Sequence, residues 1–594
     1  MIMNWYTDAI GKRLTDQHIA MLRNIHEPTY VTIPPDNARR QSCVLPNGII
    51  RQYSVGGYNE SCNGGLSWKF HAALANCLGA AVRNPDSGRY CTVVVHEDGT
   101  YAHLSDVGPD DTEYRMIKIT EQTCMDMFQP IYLQSRKRWV VTMSGYEEPS
   151  KYHPVVAYSD DDGESWQTVD LQPAPDHRPV FPDKGVRWQN AGSEPVCTEL
   201  PDGSLFLLAR TSQDHLWQYR SEDGGKTWSN GTCSPFHATL TTPYLLKLSD
   251  GRILLFWCNT IPMPEENHRV GANMFDFHER GESEDVFTNR DVCHAAISDD
   301  GIHWRGMREI KLSPIRNAAD YRYIGERGDK SMQQFQALEL PQGRILVDIG
   351  QNPACRRTVI FSLDWLLETD RYEDFQDGIQ YLTTHLYRKS VSGSTCFSYT
   401  VGNKKMNGHC AWNRADGAMP VIRPDIPDRE VLQINRYHDE RLYNELQGAV
   451  WNFPTAMYAD IRIKLWIGGA GLRISLCDHW LNACDPSVSY RTNASFTITE
   501  QDIPKNCWRE LLIRYDAQAG IVRVYDQSFL DAAENLLPGG ILTSVRFRQT
   551  APLGISYLHL QTLAECADPV GSYIWSMQQI ALEQSPFTKT QNEL

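Results

Sequence analysis

Eight residues recur along this chain in a form that a tight turn explains. "SEDGGKTW" stands at 221–228, "SDDDGESW" at 159–166, "SCNGGLSW" at 61–68, and a version one residue shorter, "SDDGIHW", at 298–304. Short polar side chains such as these bond to the backbone N–H groups of a turn, and glycine supplies the positive φ such a turn needs. The closing tryptophan packs beneath. The repeats are therefore scaffold, and Asp161, Asp223 and Asp300 are poor catalytic candidates.

A second signature precedes most of these turns: an apolar strand, a two-residue hairpin turn containing glycine, and another apolar strand. Clear copies are "VLPNGII" (44–50), "ELPDGSLFLLA" (199–209), "KLSDGRILLFW" (247–257) and "ELPQGRILVDI" (339–349). Weaker ones, "VVVHEDGTYAHL" (93–104) and "IYLQSRKRWVVTM" (131–143), fill the gap between the first two. Units of three or four antiparallel strands cannot bury their own faces singly, and six in series predict a six-bladed β-propeller over 31–379. An amphipathic helix is expected over 1–30, from the spacing of Ile10, Leu14, Met21, Leu22 and Ile25. After the blades, alternating stretches such as "DIRIKLWIGGAGLRISL" (460–476) and "LLIRYDAQAGIVRVYD" (511–526) predict a β-sandwich of jelly-roll type over 380–594. The chain is thus all-β.

Composition narrows the function. The net charge of −16 argues against a nucleic-acid partner, whose phosphates call for the opposite sign. No run of about twenty apolar residues appears, so no membrane span is expected. The N-terminus lacks a basic region followed by an apolar one, so cytoplasmic residence is expected. Sixteen cysteines are scattered without a C-x-x-C pair, which points to reduced, mostly buried thiols. No H-E-x-x-H occurs, so no metal or other cofactor is expected.

The turns resemble the Asp-box (BNR repeat) of the sialidase, or neuraminidase, superfamily, which folds as a six-bladed propeller. The segment "SEPVCTELPDGSLFLLARTS" (193–212), running into "YRSEDGGKTW", is similar to the sialidase segment that supplies a glutamate and an arginine. The resemblance covers about residues 30–370 and implies an exo-glycosidase that hydrolyses a terminal α-linked sialic acid from a glycan. The C-terminal strands, with "QGAVWNFP", look like a laminin-G or lectin-like module.

Equivalent positions in the repeat mark the pocket. Six residues upstream of Leu45, Leu200, Leu248 and Leu340 lie Arg39, Glu194, Thr242 and Gln334, expected at the entry of each blade's inner strand, where propeller ligand sites gather. The resemblance implies three arginines gripping the sugar carboxylate, and the planar guanidinium suits that bidentate grip. They would be Arg39 or Arg40, Arg210 and Arg290, with Glu194 as base or activator. The sialidase nucleophile is a tyrosine of the last blade; here Gln334 holds the register position, and Tyr323 or Tyr321 stands in the loop before it. The first-blade acid is likewise replaced: that region offers Glu60, with Asp329, Glu326, Asp291 and Glu147 as substitutes on loops. His294 and His153 are further acid/base candidates. Without a tyrosine, a water activated by a carboxylate would give inversion. Two other readings stand beside this one: a propeller glycosidase for a uronic acid or neutral sugar, and a non-catalytic glycan-binding protein. A homo-oligomer is left open.

Overall fold

The computed structural model describes residues 30–32, 38–54, 56–72, 76–125, 128–147, 151–178, 190–261, 292–310, 334–350, 357–376, 379, 382–384, 386–387, 398–401, 404–407, 414–415, 417–436, 446–485, 487–529 and 540–587. Among them, six four-stranded antiparallel sheets follow one another along the chain. Blade one runs from Ala38–Val44 to Lys69–Ala72, blade two from Val82–Arg83 to Arg115–Thr120, and blade three from Ile131–Leu133 to Gln167–Asp170. Blade four comprises Ser193–Glu199, Leu205–Arg210, His215–Ser221 and Thr232–His237. Blade five comprises Tyr244–Lys247, Ile253–Trp257, His294–Ser298 and Trp304–Glu309. Each hairpin signature of the sequence is the first or central turn of one blade.

Blade six closes the ring. Gln336–Leu340, Arg344–Ile349 and Arg357–Ser362 take their fourth strand from the other end of the propeller, with Tyr30 paired to Ile360 and Thr32 to Thr358. A buried polar junction completes the seam. Asp348 accepts hydrogen bonds from Ser42 and Gln52 of blade one and from Thr358. Gln336 donates to the Ser42 carbonyl. A buried carboxylate holds its charge only with such partners.

Apolar clusters fill the spaces between blades. Trp139 and Val141 meet Cys91 and Leu104 between blades two and three; Leu207 and Tyr219 meet Val140 and Val156 between three and four. Trp257 packs with Phe236 and Trp304 between four and five, and Phe256, Ile297, Val347 and Phe361 between five and six. Each large side chain so buried contributes about 1.5–3 kcal/mol, which no single blade obtains alone.

The repeated turns are built as their sequence requires. In 221–228, Ser221 Oγ donates to Asp223 and accepts from Gly225 N–H. Asp223 also takes the N–H groups of Lys226 and Thr227 and the Thr227 hydroxyl. Trp228 Nε1 donates to the Gly225 carbonyl. The copies at Ser159 and Ser298 repeat the Ser–Asp and Ser–Gly bonds, and at Ser61 Asn63 takes the aspartate's place.

Two further sheets form the C-terminal sandwich, one of eight strands and one of five, sharing a core of Trp451, Phe453, Ile461, Ile463, Ile474, Leu511, Ile513, Leu558 and Ile574. Its start is earlier than the sequence suggested. After a short helix at Leu363–Leu366, Asp370–Glu373 already pairs with Asp568–Ala581 of the eight-stranded sheet, so residue 379 is not the boundary. The hydrophobic run "SLDWLLE" conceals the switch, because its helix packs on blade six. The helix expected over 1–30 lies outside the described residues, except for Tyr30, which is in a strand. No helix among the described residues is long and apolar enough to cross a membrane, and none of the described cysteines forms a disulfide.

Candidate active site

Blade four brings Glu194 and Arg210 to one edge. Its inner strand opens with Ser193 opposite Arg210, and the pairing then skips to Val196 opposite Leu208, leaving Glu194 and Pro195 in a bulge. Bulges re-aim a side chain out of the ladder. Glu194 takes φ of 48°, a left-handed conformation uncommon for any residue but glycine. Blade three and the preceding turn hold it there. Ser144 Oγ accepts the Glu194 N–H at 2.7 Å, and Thr142 donates to the Pro195 carbonyl at 2.5 Å. Asn190 Oδ1 accepts the N–H groups of Gly192 and Ser193.

The aimed carboxylate meets two groups. Arg210 Nη1 donates to Glu194 Oε2 at 2.8 Å, and the Thr242 hydroxyl, from the entry of blade five, donates to the same oxygen. All three side chains are buried: Glu194 is 6% exposed, Arg210 8% and Thr242 3%. An ion pair this dry demands close geometry, since each charge has lost its water. Arginine and threonine around a carboxylate at the mouth of a blade form a polar cradle where core residues would otherwise lie.

The repeat register extends the edge to other blades. In blade one the pairing Ala38–Ser54 skips to Gln41–Tyr53, so Arg39 and Arg40 occupy the same bulge as Glu194 and Pro195. Gln334 enters blade six with φ of 67°. The backbone thus places Arg39, Glu194 and Gln334 at corresponding points. Tyr321, Tyr323, Glu326, Asp329, Arg290 and Asp291 lie outside the described residues, as does the side chain of Glu147.

Two expectations are corrected. His294 does not face the pocket: it is fully buried against the sandwich, where Asn259 N–H donates to Nδ1 at 3.0 Å. Nε2 then carries the proton and bonds Tyr557, whose hydroxyl donates to Glu309 at 2.9 Å. Sequence alone could not place the sandwich there. Glu60 is paired with Arg51 at 2.7 Å and adjoins the turn that begins at Ser61, at the opposite edge of blade one. His153 is not so removed: it pairs with Gly145, next to Ser144, and lies 3.3 Å from Asp170. The repeated turns fall on that opposite edge too, which removes their aspartates from the pocket. Sequence reasoning missed Ser144, Thr142 and Asn190, whose only signal is that buried hydroxyls and amides need partners.

The family comparison agrees with this geometry. Residues 123–332 match the family model of the BNR repeat-like domain. The matched stretch spans blades three to five and includes Glu194, Arg210 and Thr242. A comparison with curated protein sequences gives no match. Among solved structures, a protein of unknown function from Dyadobacter fermentans is similar, with 16% identity and a TM-score of 0.34 over 56% of this chain and 97% of its own. Trypanosoma rangeli sialidase, solved as its covalent intermediate with 2,3-difluorosialic acid, is 11% identical with a TM-score of 0.32, covering 93% of this chain and 96% of its own. NanB sialidase from Streptococcus pneumoniae is 12% identical with a TM-score of 0.34, covering 57% and 69%.

Proposed function

We propose that the chain is a glycoside hydrolase of sialidase type that releases a terminal sugar bearing a carboxylate. The observation that carries this reading is the buried Glu194–Arg210 pair, closed by Thr242 and held in a strained bulge at the entry of the inner strands. A non-Gly residue is kept in a left-handed conformation only where its surroundings over-determine it, and such strain gathers at functional sites. Glu194 activates the nucleophile, and Arg210 adjoins it to orient the carboxylate and neutralise its charge. Arg39 or Arg40 and Arg290 complete the grip. An anionic nucleophile is repelled by a carboxylated anomeric centre, so Tyr323 or Tyr321, neutral until Glu194 takes its proton, is the nucleophile of the retaining form.

That Gln334 holds the register position of the sialidase tyrosine favours a second mechanism at the same site, in which a water activated by Glu194 attacks with inversion. The test is a panel of fluorogenic sialosides and uronides assayed with wild type and Glu194→Gln. Release of sialic acid, lost by at least a thousandfold in the variant, supports the reading. Uronide release without sialoside release transfers the site to another acidic sugar, and binding without turnover on any glycan overturns the hydrolase assignment. Proton NMR of the first product anomer separates retention from inversion.

A further inference from the structure

We propose that His237, Asp478 and His479 form a binding site for one divalent transition-metal ion of the Zn2+ class, which clamps the sandwich to blade four. His237 ends the outer strand of blade four, while Asp478 and His479 follow the sandwich strand Leu472–Cys477. One ligand atom from each lies within 4.8 Å of the other two.

The donor set selects the ion. Two imidazoles and one carboxylate match Zn2+, whereas Mg2+ and Ca2+ take oxygen ligands. Tetrahedral Zn2+ with bonds of about 2.0–2.1 Å sets neighbouring ligand atoms about 3.3 Å apart. His237 Nε2 lies 3.4 Å from Asp478 Oδ1. His479 Nδ1 lies 2.6 Å from the same oxygen, a hydrogen bond that opens by about 0.7 Å around an ion.

Hydrogen bonding alone leaves the cluster poorly explained. Asp478 is 8% exposed, and its ion-pair partners among the described residues are these two histidines. Neutral imidazoles do not offset a buried carboxylate, and a divalent cation does. His479 is 1% exposed, and among the described residues its Nε2 has no hydrogen-bond partner; nor has His237 Nδ1. These rings are therefore not held in place by bonds at both nitrogens. The frame around them is fixed from both domains: Asn493 accepts the Asp478 N–H at 2.8 Å, and Asn259 donates to its carbonyl at 2.8 Å. His215, paired across the strand with His237, packs against it with ring centroids 4.4 Å apart and the rings tilted by 41°.

The place matters as much as the chemistry. Ser193, Arg210, His215 and His237 all lie at one edge of blade four by register. The ion would therefore fix the sandwich on the edge that carries Glu194.

The test is titration of the untagged, chelator-stripped full chain with Co2+ alone, read by visible absorption. One tight equivalent is expected, with d–d bands of nitrogen and oxygen coordination and no thiolate charge-transfer band. His237→Gln and His479→Gln should each abolish it, and the exposed control His303→Gln should retain it. Added Zn2+ should raise Tm of wild type and leave both variants unmoved. The wild-type titration needs no substitution: absence of a tight equivalent, or a spectrum dominated by thiolate, overturns the proposal. So does undiminished binding in both variants.

Discussion

Asp223→Ala decides whether the repeated turns are scaffold or site. The carboxylate accepts four hydrogen bonds, from Ser221 Oγ, Lys226 N–H, Thr227 N–H and Thr227 Oγ1, at 2.7–3.0 Å. Burial pushes its carboxyl up, but the Thr227 hydroxyl and N–H, with Ser221 and Lys226, outweigh that and hold it at about 2, from an ordinary 3.8. The drop from 3.8 to about 2, at about 1.36 kcal/mol per pH unit, gives a ceiling of about 2 kcal/mol. Solvent reaches the turn, which lowers that to about 1 kcal/mol. The folded-state value is depressed, so this stability is present above pH ~4 and is lost as pH falls towards ~2. Asp223→Ala should cost about 1–2 kcal/mol at neutral pH, read as a lowered urea midpoint of the propeller transition by tryptophan fluorescence. Asp223→Asn should cost less, and in both variants the stability lost between pH 4 and 2 should be smaller than in wild type by the share of this one carboxylate, about 1 kcal/mol. Glycosidase activity per folded molecule should not change. A variant of wild-type stability that has lost activity would refute the scaffold reading.

Three other outcomes follow from the geometry. Thr242→Val removes a hydroxyl bonded to the buried Glu194 carboxylate, worth about 1.5–3 kcal/mol, so Tm should fall, and kcat/KM of the folded variant should fall by about ten- to a hundredfold as Glu194 loses its support. Tyr557→Phe deletes the hydroxyl joining His294 to Glu309; a loss of about 1–3 kcal/mol should appear as a lower Tm and faster limited proteolysis between propeller and sandwich. Gly65→Ala places a Cβ 2.2 Å from Leu346 Cδ1 at φ of 86°, and should cost about 2–4 kcal/mol by urea denaturation, through backbone strain and overpacking at the seam of blades one and six.

The ring of blades was legible because its signal is local. A strand, a glycine turn and an S-x-D-x-G-x-x-W closure each lie within a dozen residues, and repetition supplies the register. That register also found Glu194 and Thr242, which are 48 residues apart along the chain yet bonded. Their contact follows from counting back from Leu200 and Leu248. What stayed hidden is contact without a repeat. His294 reads as a channel residue from its own strand, and only the docking of Tyr557, 263 residues on, turns it into an interdomain brace. The carboxylate–imidazole cluster is hidden for the same reason, since no ligand spacing joins His237 to Asp478. Glu60 misled because its place after the first hairpin shows which strand carries it and not which end of the blade it sits at.

The central claim is that the edge carrying Glu194 and Arg210 receives an acidic sugar, and a matched pair of glycosides tests it most directly: one with the free carboxylate, the other with its carboxamide. Wild type should favour the acid in kcat/KM by about tenfold or more, as loss of a charge-assisted hydrogen bond implies, and a folded Arg210→Met variant should lose most of that preference. Equal rates on the two substrates in wild type, or an undiminished preference in Arg210→Met, would contradict it.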